Sequence, residues 1–320
     1  MNKPLVIYIV GDNRSGSTLL DYLLLNHPET VSIGEVHSLD TFFKKEGIGM
    51  IFDWKCTCGS HVHECEFWSK IIEEVSFDDT YKLKPNLSVS KLSKFSRLFK
   101  LLKMVISSQS KAISKRLNEP VFIEEGKQIA INRWKIYDAV AKISGRSIII
   151  DSSKSAEEAY LIYKQRPKNI RIILLERNIW EVALSKYNRI KGFDKKVKDY
   201  FGIKTKSIYH HIFFSFIAFK MNRQIINEIQ RNTQEKVTKR IKYLNLTENT
   251  QQQIEDLCSF IGLTKFKAPL YTNESKEKIH AIAGSPSRSV KKRIQPDIRW
   301  KKFYKNKPIA LTLGKLLQPK

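Results

Sequence analysis

The amino-acid sequence predicts an α/β fold in which a parallel sheet is flanked by helices. Three observations carry that expectation. Of four strand candidates, "LVIYIV" at 5–10 has the continuous hydrophobicity of a strand buried on both faces, and "RSIIID" at 146–151, "IRIILLE" at 170–176 and "RIKYLNL" at 240–246 are further candidates for buried strands. Helical periodicity separates the runs, and right-handed crossovers through such helices gather the carboxyl ends of all strands on one edge. A Gly- and Ser-rich loop follows the first run directly and leads into a helix, the arrangement in which a parallel sheet holds a ligand at that edge.

Taken in order, the first run ends at Val10, and the loop reads Gly11-Asp12-Asn13-Arg14-Ser15-Gly16-Ser17-Thr18. The leucines of "STLLDYLLLNHP" then suit a helix packed on that strand, with Pro28 just past its end. A single domain over 1–320 is expected, with a helical insertion at 76–140. Within the insertion no acidic residue occurs from Asn86 to Arg116. Lys91, Lys94, Arg97, Lys100 and Lys103 recur there beside Leu92, Phe95, Leu98, Leu101 and Leu102, placing an apolar stripe next to a basic one. The basic stretch at 285–307 lacks regular periodicity and reads as a loop lying across the body.

Lys and Arg number 57 against 32 acidic residues, a formal charge of +25. Such a surplus calls for an anionic partner: a nucleic acid, an acidic membrane surface, a polyanionic glycan or a phosphorylated cofactor. Helix-turn-helix, paired-cysteine finger and aromatic RNA-binding signatures are missing, so no specific nucleic acid is expected. No segment has the length of a membrane span, and the first apolar run is too short for a secretory signal. The expected location is cytoplasmic, with peripheral contact to a membrane as the alternative that the basic stripe allows.

Three of the four cysteines fall in "CTCGSHVHEC": Cys56, Cys58 and Cys65, with His61 and His63 between them. The spacing is CxC rather than CxxC, and no second ligand pair follows downstream. The expectation is therefore no metal, with the thiols free or disulfide-linked. Cys258, within an apolar helical pattern, reads as a small core residue.

The loop after the first run has the glycine spacing of a Walker A phosphate loop, yet Ser17 stands where the lysine belongs. The amides of Ser15 to Thr18 still converge on an anion at a helix N-terminus, and Arg14 offers a guanidinium suited to a tetrahedral oxyanion. The loop suits an anionic group other than a magnesium triphosphate.

"GDNRSGSTLL" resembles the 5′-phosphosulfate loop of sulfotransferases that use 3′-phosphoadenosine 5′-phosphosulfate (PAPS) and release 3′-phosphoadenosine 5′-phosphate (PAP) without requiring a metal. "LLERNIWEVALSKYN" is similar to that family's 3′-phosphate segment, which puts Arg177 and Ser185 on the cofactor beside Arg14, Ser15, Gly16, Ser17 and Thr18. "NHPETVSIGEVHSL" resembles the segment whose Gly-Glu pair supplies the catalytic base in the tyrosylprotein and glycan branches. That implies Glu35. His37 competes, because cytosolic small-molecule members use His, and two residues apart on an extended segment the pair would share a face. "IIIDSSKSAEEA" is similar to the segment whose Lys contacts the transferred group, implying Lys154. "HAIAGSPSRSVKKRIQPDIRW" resembles a closing loop of bacterial members in which Arg288 reaches the cofactor. The cysteine loop also resembles one in bacterial members, and the likeness skips 86–116.

The resemblance implies a P-loop sulfotransferase-like fold and transfer of a sulfuryl group from PAPS to a hydroxyl or amine. Catalytic roles fall to Glu35 or His37, Lys154 and Arg14. The acceptor expected from the charge is an anionic or hydroxylated molecule such as a glycan, a lipid headgroup or a small molecule. The rival readings are a P-loop nucleotide phosphotransferase and a basic nucleic-acid-binding protein.

Overall fold

Strand β1 (Leu5–Gly11) lies at the centre of a five-stranded parallel sheet in the computed structural model of the chain. The structure describes residues 3–43, 55–77, 81–83, 117, 120–193, 195, 198, 208–272, 280–282 and 291–317. The strand order is β2 (Thr30–Gly34), β3 (Ile148–Lys154), β1, β4 (Ile170–Glu176), β5 (Thr238–Lys242). From β1 the chain crosses to one side of the sheet, and from β3 to β4 it crosses to the other. The carboxyl end of β1 is thus where the winding reverses, the position at which such sheets bind ligands.

Alternation along β1 explains its unbroken apolar run. Val6, Tyr8 and Val10 enter one core with Trp134, Tyr137 and Ile162, while Ile7 and Ile9 enter the other with Leu20, Leu23 and Leu257. Helices α1 (Ser17–Leu25), α2 (Leu39–Phe43), α3 (Glu66–Glu74), α4 (Pro120–Ser144), α5 (Ala156–Gln165), α6 (Ile179–Lys191) and α7 (Ile208–Arg231) flank the sheet, followed after β5 by α8 (Tyr243–Glu248), α9 (Thr250–Ile261), α10 (Arg299–Tyr304) and α11 (Pro308–Leu317). Cys258 is buried on α9 in the core that the pattern predicts for it. No helix among the described residues is long and apolar enough to cross a membrane.

Several boundaries differ from expectation. Strand β2 escapes a search for apolar runs because Thr30 and Ser32 interrupt it; both are nevertheless buried. Strand β3 begins at Ile148 and extends through Ser152 and Ser153 to Lys154, because those polar residues find partners: the Ser152 hydroxyl donates to Asp21 at 2.8 Å and the Ser153 amide to Asp151 at 2.9 Å. The run at 240–246 is a strand only to Lys242. Tyr243 starts a helical turn there, with its ring over Arg177 and against Gly16, so tertiary contact overrides the extended pattern. The C-terminal basic stretch contains helix α10 rather than loop throughout, anchored by fully buried Tyr304. Helix α4 carries Ile129, Trp134, Tyr137 and Val140 into the core. The basic stripe at 91–103 and Arg288 lie outside the described residues.

Candidate active site

The loop after β1 turns tightly, with the Ser15 amide donating to the Asp12 carbonyl at 3.0 Å. Arg14 (φ 76°) and Gly16 (φ 99°) both take left-handed backbone conformations. A Cβ on Gly16 would run into the ring of Tyr243, so this position requires glycine for both conformation and space. Gly16 is the N-cap of α1, whose first amides by helix geometry have no carbonyl partner within the helix. The Ser15 hydroxyl is fully buried and has no hydrogen-bond partner among the described residues. Behind the loop, Asp12 is held by Asn222 at 3.0 Å and Arg223 at 3.5 Å, and burial raises its carboxyl.

Arginines crowd beside this loop. The Arg14 Nε donates to the Ser185 hydroxyl on α6 at 2.9 Å. Arg177, at the tip of β4, donates to the Arg14 carbonyl at 2.8 Å, to Glu181 at 2.8 Å and to Asp297 at 3.2 Å, while its guanidinium lies 4.2 Å from the Tyr243 ring centre. A cavity of about 240 Å³ is walled by Arg14, Ser185, Arg189, Asp297, Arg299 and Trp300, among others. Arg299 grips Asp297 through two hydrogen bonds of 2.7 and 2.8 Å, which hold that carboxyl down at about 2. Burial lowers the Arg14 guanidinium, and the like charges of Arg189, Arg177 and Arg299 lower it further. Guanidinium charge that is both buried and mutually repelling favours an incoming anion.

A second cluster sits at the tips of β2 and β3. Lys154 (φ 73°) ends β3, and its ammonium forms an ion pair with Glu35. Glu35 and His37 do not lie on an extended segment as expected. The chain turns after Gly34 (φ 69°), and residues 36–38 form a 3₁₀ turn closed by the Ser38 amide on the Glu35 carbonyl at 2.9 Å. A Cβ on Gly34 would strike the Ile282 carbonyl, which is why the turn begins there. The pair still meets: His37 Nε2 is 4.0 Å from Glu35, and His37 Nδ1 is 3.5 Å from Glu158.

Beneath His37 lies a buried polar network absent from the sequence reading. Arg133, on α4, contacts Asp151 at 2.8 Å, Ser153 at 3.1 Å and Glu158 at 3.5 Å. The Tyr137 hydroxyl donates to Asp151 at 2.5 Å and the Tyr8 hydroxyl to Glu158 at 3.1 Å. Burial pushes both phenols well up, keeping them as donors. Ser153 accepts the His37 amide at 3.2 Å, tying this network to the turn that presents Glu35.

The structure therefore groups the expected site residues into two clusters on the carboxyl edge. Arg14 and Ser185 touch. Arg177 braces the loop from behind the cavity wall, and Arg189 and Arg299 stand on the wall without having been singled out. Arg189 follows Ser185 by four residues on α6, a spacing that puts both on one helix face. The three clustered cysteines are not disulfide-paired, and a single histidine from far along the chain, His280, brings its Nδ1 to 3.1 Å from Cys65.

No family model and no curated protein matches the chain. Two solved structures match along its whole length. A sulfotransferase domain from the curacin biosynthetic pathway is 16% identical, with a TM-score of 0.53 over 100% of this chain and 99% of that one. A sulfotransferase domain from the Synechococcus PCC 7002 olefin synthase is also 16% identical, with a TM-score of 0.52 over 100% and 97%. The chain has the sulfotransferase fold.

Proposed function

We propose that this chain transfers a sulfuryl group from PAPS to a hydroxyl of an acceptor. The observation that carries this reading is the hydrogen bond from Arg14 to Ser185, which joins the loop after β1 to the helix after β4 at an arginine-walled cavity. The residues suit the phosphates of an adenosine bisphosphate: a buried Ser15 hydroxyl lacks a partner among the described residues, and Arg14, Arg189 and Arg299 wall the cavity. Arg14 and residues 15–18 would hold one phosphate, and Ser185, Arg189 and Arg299 the other. Arg177 fixes the loop through the Arg14 carbonyl. The lysine missing from the loop speaks against a magnesium triphosphate.

When bound, PAPS supplies an activated sulfuryl group. Glu35 accepts the proton of the attacking hydroxyl, while Lys154 orients its carboxylate and sets positive charge where negative charge develops. His37, between Glu35 and Glu158, is the positioning residue behind that base. The acceptor is an anionic or hydroxylated molecule, a glycan, lipid headgroup or small molecule, drawn in by the charge of +25.

Calorimetry with PAP tests the reading. Wild type binds, and Arg14→Ala weakens binding by about 1.5–3 kcal/mol, the scale of a lost charge-assisted hydrogen bond. A wild-type chain that shows no heat with PAP, or binds ATP with magnesium in preference, overturns it.

A further inference from the structure

We propose that Cys56, Cys58, Cys65 and His280 form a tetrahedral zinc site. It shares no residue with the two clusters at the sheet edge and does not depend on the sulfotransferase reading. The four ligand atoms all lie within 4.8 Å of one another. A tetrahedral zinc with bonds of about 2.3 Å to sulfur and 2.0–2.1 Å to nitrogen requires ligand separations of about 3.8 Å between sulfurs and about 3.6 Å from sulfur to nitrogen. The Cys58–Cys65 and Cys65–Cys56 sulfurs are 3.6 and 3.7 Å apart, and the His280 Nδ1 lies 3.1 and 3.9 Å from the sulfurs of Cys65 and Cys56. Four of the six edges thus lie within about 0.5 Å of the tetrahedral values, and the other two are no longer than 4.8 Å. Both sulfur separations are far beyond the roughly 2.05 Å of a sulfur–sulfur bond.

The surroundings fix each ligand. Cys56 and Cys58 sit on a turn closed by the Gly59 amide on the Cys56 carbonyl at 2.9 Å, and Cys65 is the N-cap of α3. The His280 ring stacks on Phe67 with centres 4.9 Å apart, and its carbonyl accepts from Trp68 Nε1 at 2.6 Å. The stacking holds the ring and the carbonyl contact holds its backbone, with Nδ1 facing the sulfurs. Three thiols and an imidazole select zinc over hard cations, and a closed set of four leaves no position for substrate, so the site is structural. Each cysteine ligand gives up its thiol proton to solvent as the metal binds.

The site also has a mechanical consequence. Residues beside His280 pair with β2: the Ile282 amide donates to Ile33 at 3.0 Å, and the Glu35 amide donates to Ile282 at 2.8 Å. Zinc would clamp the cysteine loop to the segment that buttresses Glu35.

The test uses the full chain, purified under reducing conditions from zinc-supplemented culture, with metal content read by mass spectrometry. About one zinc per chain is expected, falling at least about tenfold in Cys65→Ser and in His280→Asn. Should those variants fail to fold, cobalt exchanged into wild type decides, through thiolate-to-cobalt charge transfer and the intense visible bands of tetrahedral geometry. A folded wild type free of zinc, one holding iron instead, an octahedral cobalt spectrum, or a disulfide among these cysteines in unreduced peptide maps of fresh protein overturns the proposal.

Discussion

Replacing Arg133 with methionine withdraws a guanidinium from between two buried carboxylates. Arg133 and Asp151 are both 0% exposed, and the Nη2 atom alone contacts Asp151 at 2.8 Å, Ser153 at 3.1 Å and Glu158 at 3.5 Å. Methionine keeps most of the apolar stem, so the loss is electrostatic: Asp151 retains Tyr137, Glu158 retains Tyr8, and neither retains a buried cation from Arg133. Stranding a buried carboxylate costs about 3–5 kcal/mol, so Arg133→Met should lower unfolding stability by about 4 kcal/mol, roughly a thousandfold in the folded-to-unfolded ratio. Urea unfolding followed by far-ultraviolet circular dichroism measures it. The paired variant Arg133→Met/Asp151→Leu removes cation and carboxylate together and should lose less than the sum of the single changes, by about 0.5–3 kcal/mol. A loss below about 1 kcal/mol for Arg133→Met, or strictly additive losses, would refute the argument that this network is held by charge complementarity.

Three further outcomes are expected. Gly16→Ala meets both a left-handed backbone and the Tyr243 ring, so PAP affinity should fall at least about tenfold, and adding Tyr243→Ala should restore only part because the backbone cost of about 1–3 kcal/mol remains; undiminished affinity contradicts it. Glu35→Gln should bind PAP as wild type does and lose sulfuryl transfer to a panel of glycans and phenols assayed with labelled PAPS; full activity would move the base to His37. Asp297, held at about 2 against an ordinary 3.8, stabilises the fold fully above its ordinary value and ceases to do so as pH falls through about 2, so the stability gap between wild type and Asp297→Asn should close on acidification, and a gap that widens argues against the Arg299 clamp.

Strands β1 and β4 were legible because both faces of each are buried, which leaves an unbroken apolar signature in one stretch of chain. The same logic misses β2, whose Thr30 and Ser32 are buried but satisfied or tolerated locally, and overextends β5 into Tyr243, whose helical turn is decided by distant Gly16 and Arg177. A local pattern singles out Arg14 in the glycine loop, and a family resemblance singles out Lys154. Residues whose meaning comes from pairing across the fold carry no such signal. Arg133 reads as a helix charge until Asp151 faces it, and His280 reads as one isolated imidazole until a loop 215 residues earlier brings Cys65 against it.

Among the described residues, three that are not glycine hold a positive φ: Arg14, Ser76 and Lys154. Two of these, Arg14 and Lys154, are among the cations of the candidate site. Glycine would relax the backbone at both, yet it would also erase the side chains that reach Ser185 and Glu35. Under the proposed function, durability and chemistry therefore pull in opposite directions at positions 14 and 154, where an arginine and a lysine hold a conformation that thermodynamics alone would hand to the smallest residue.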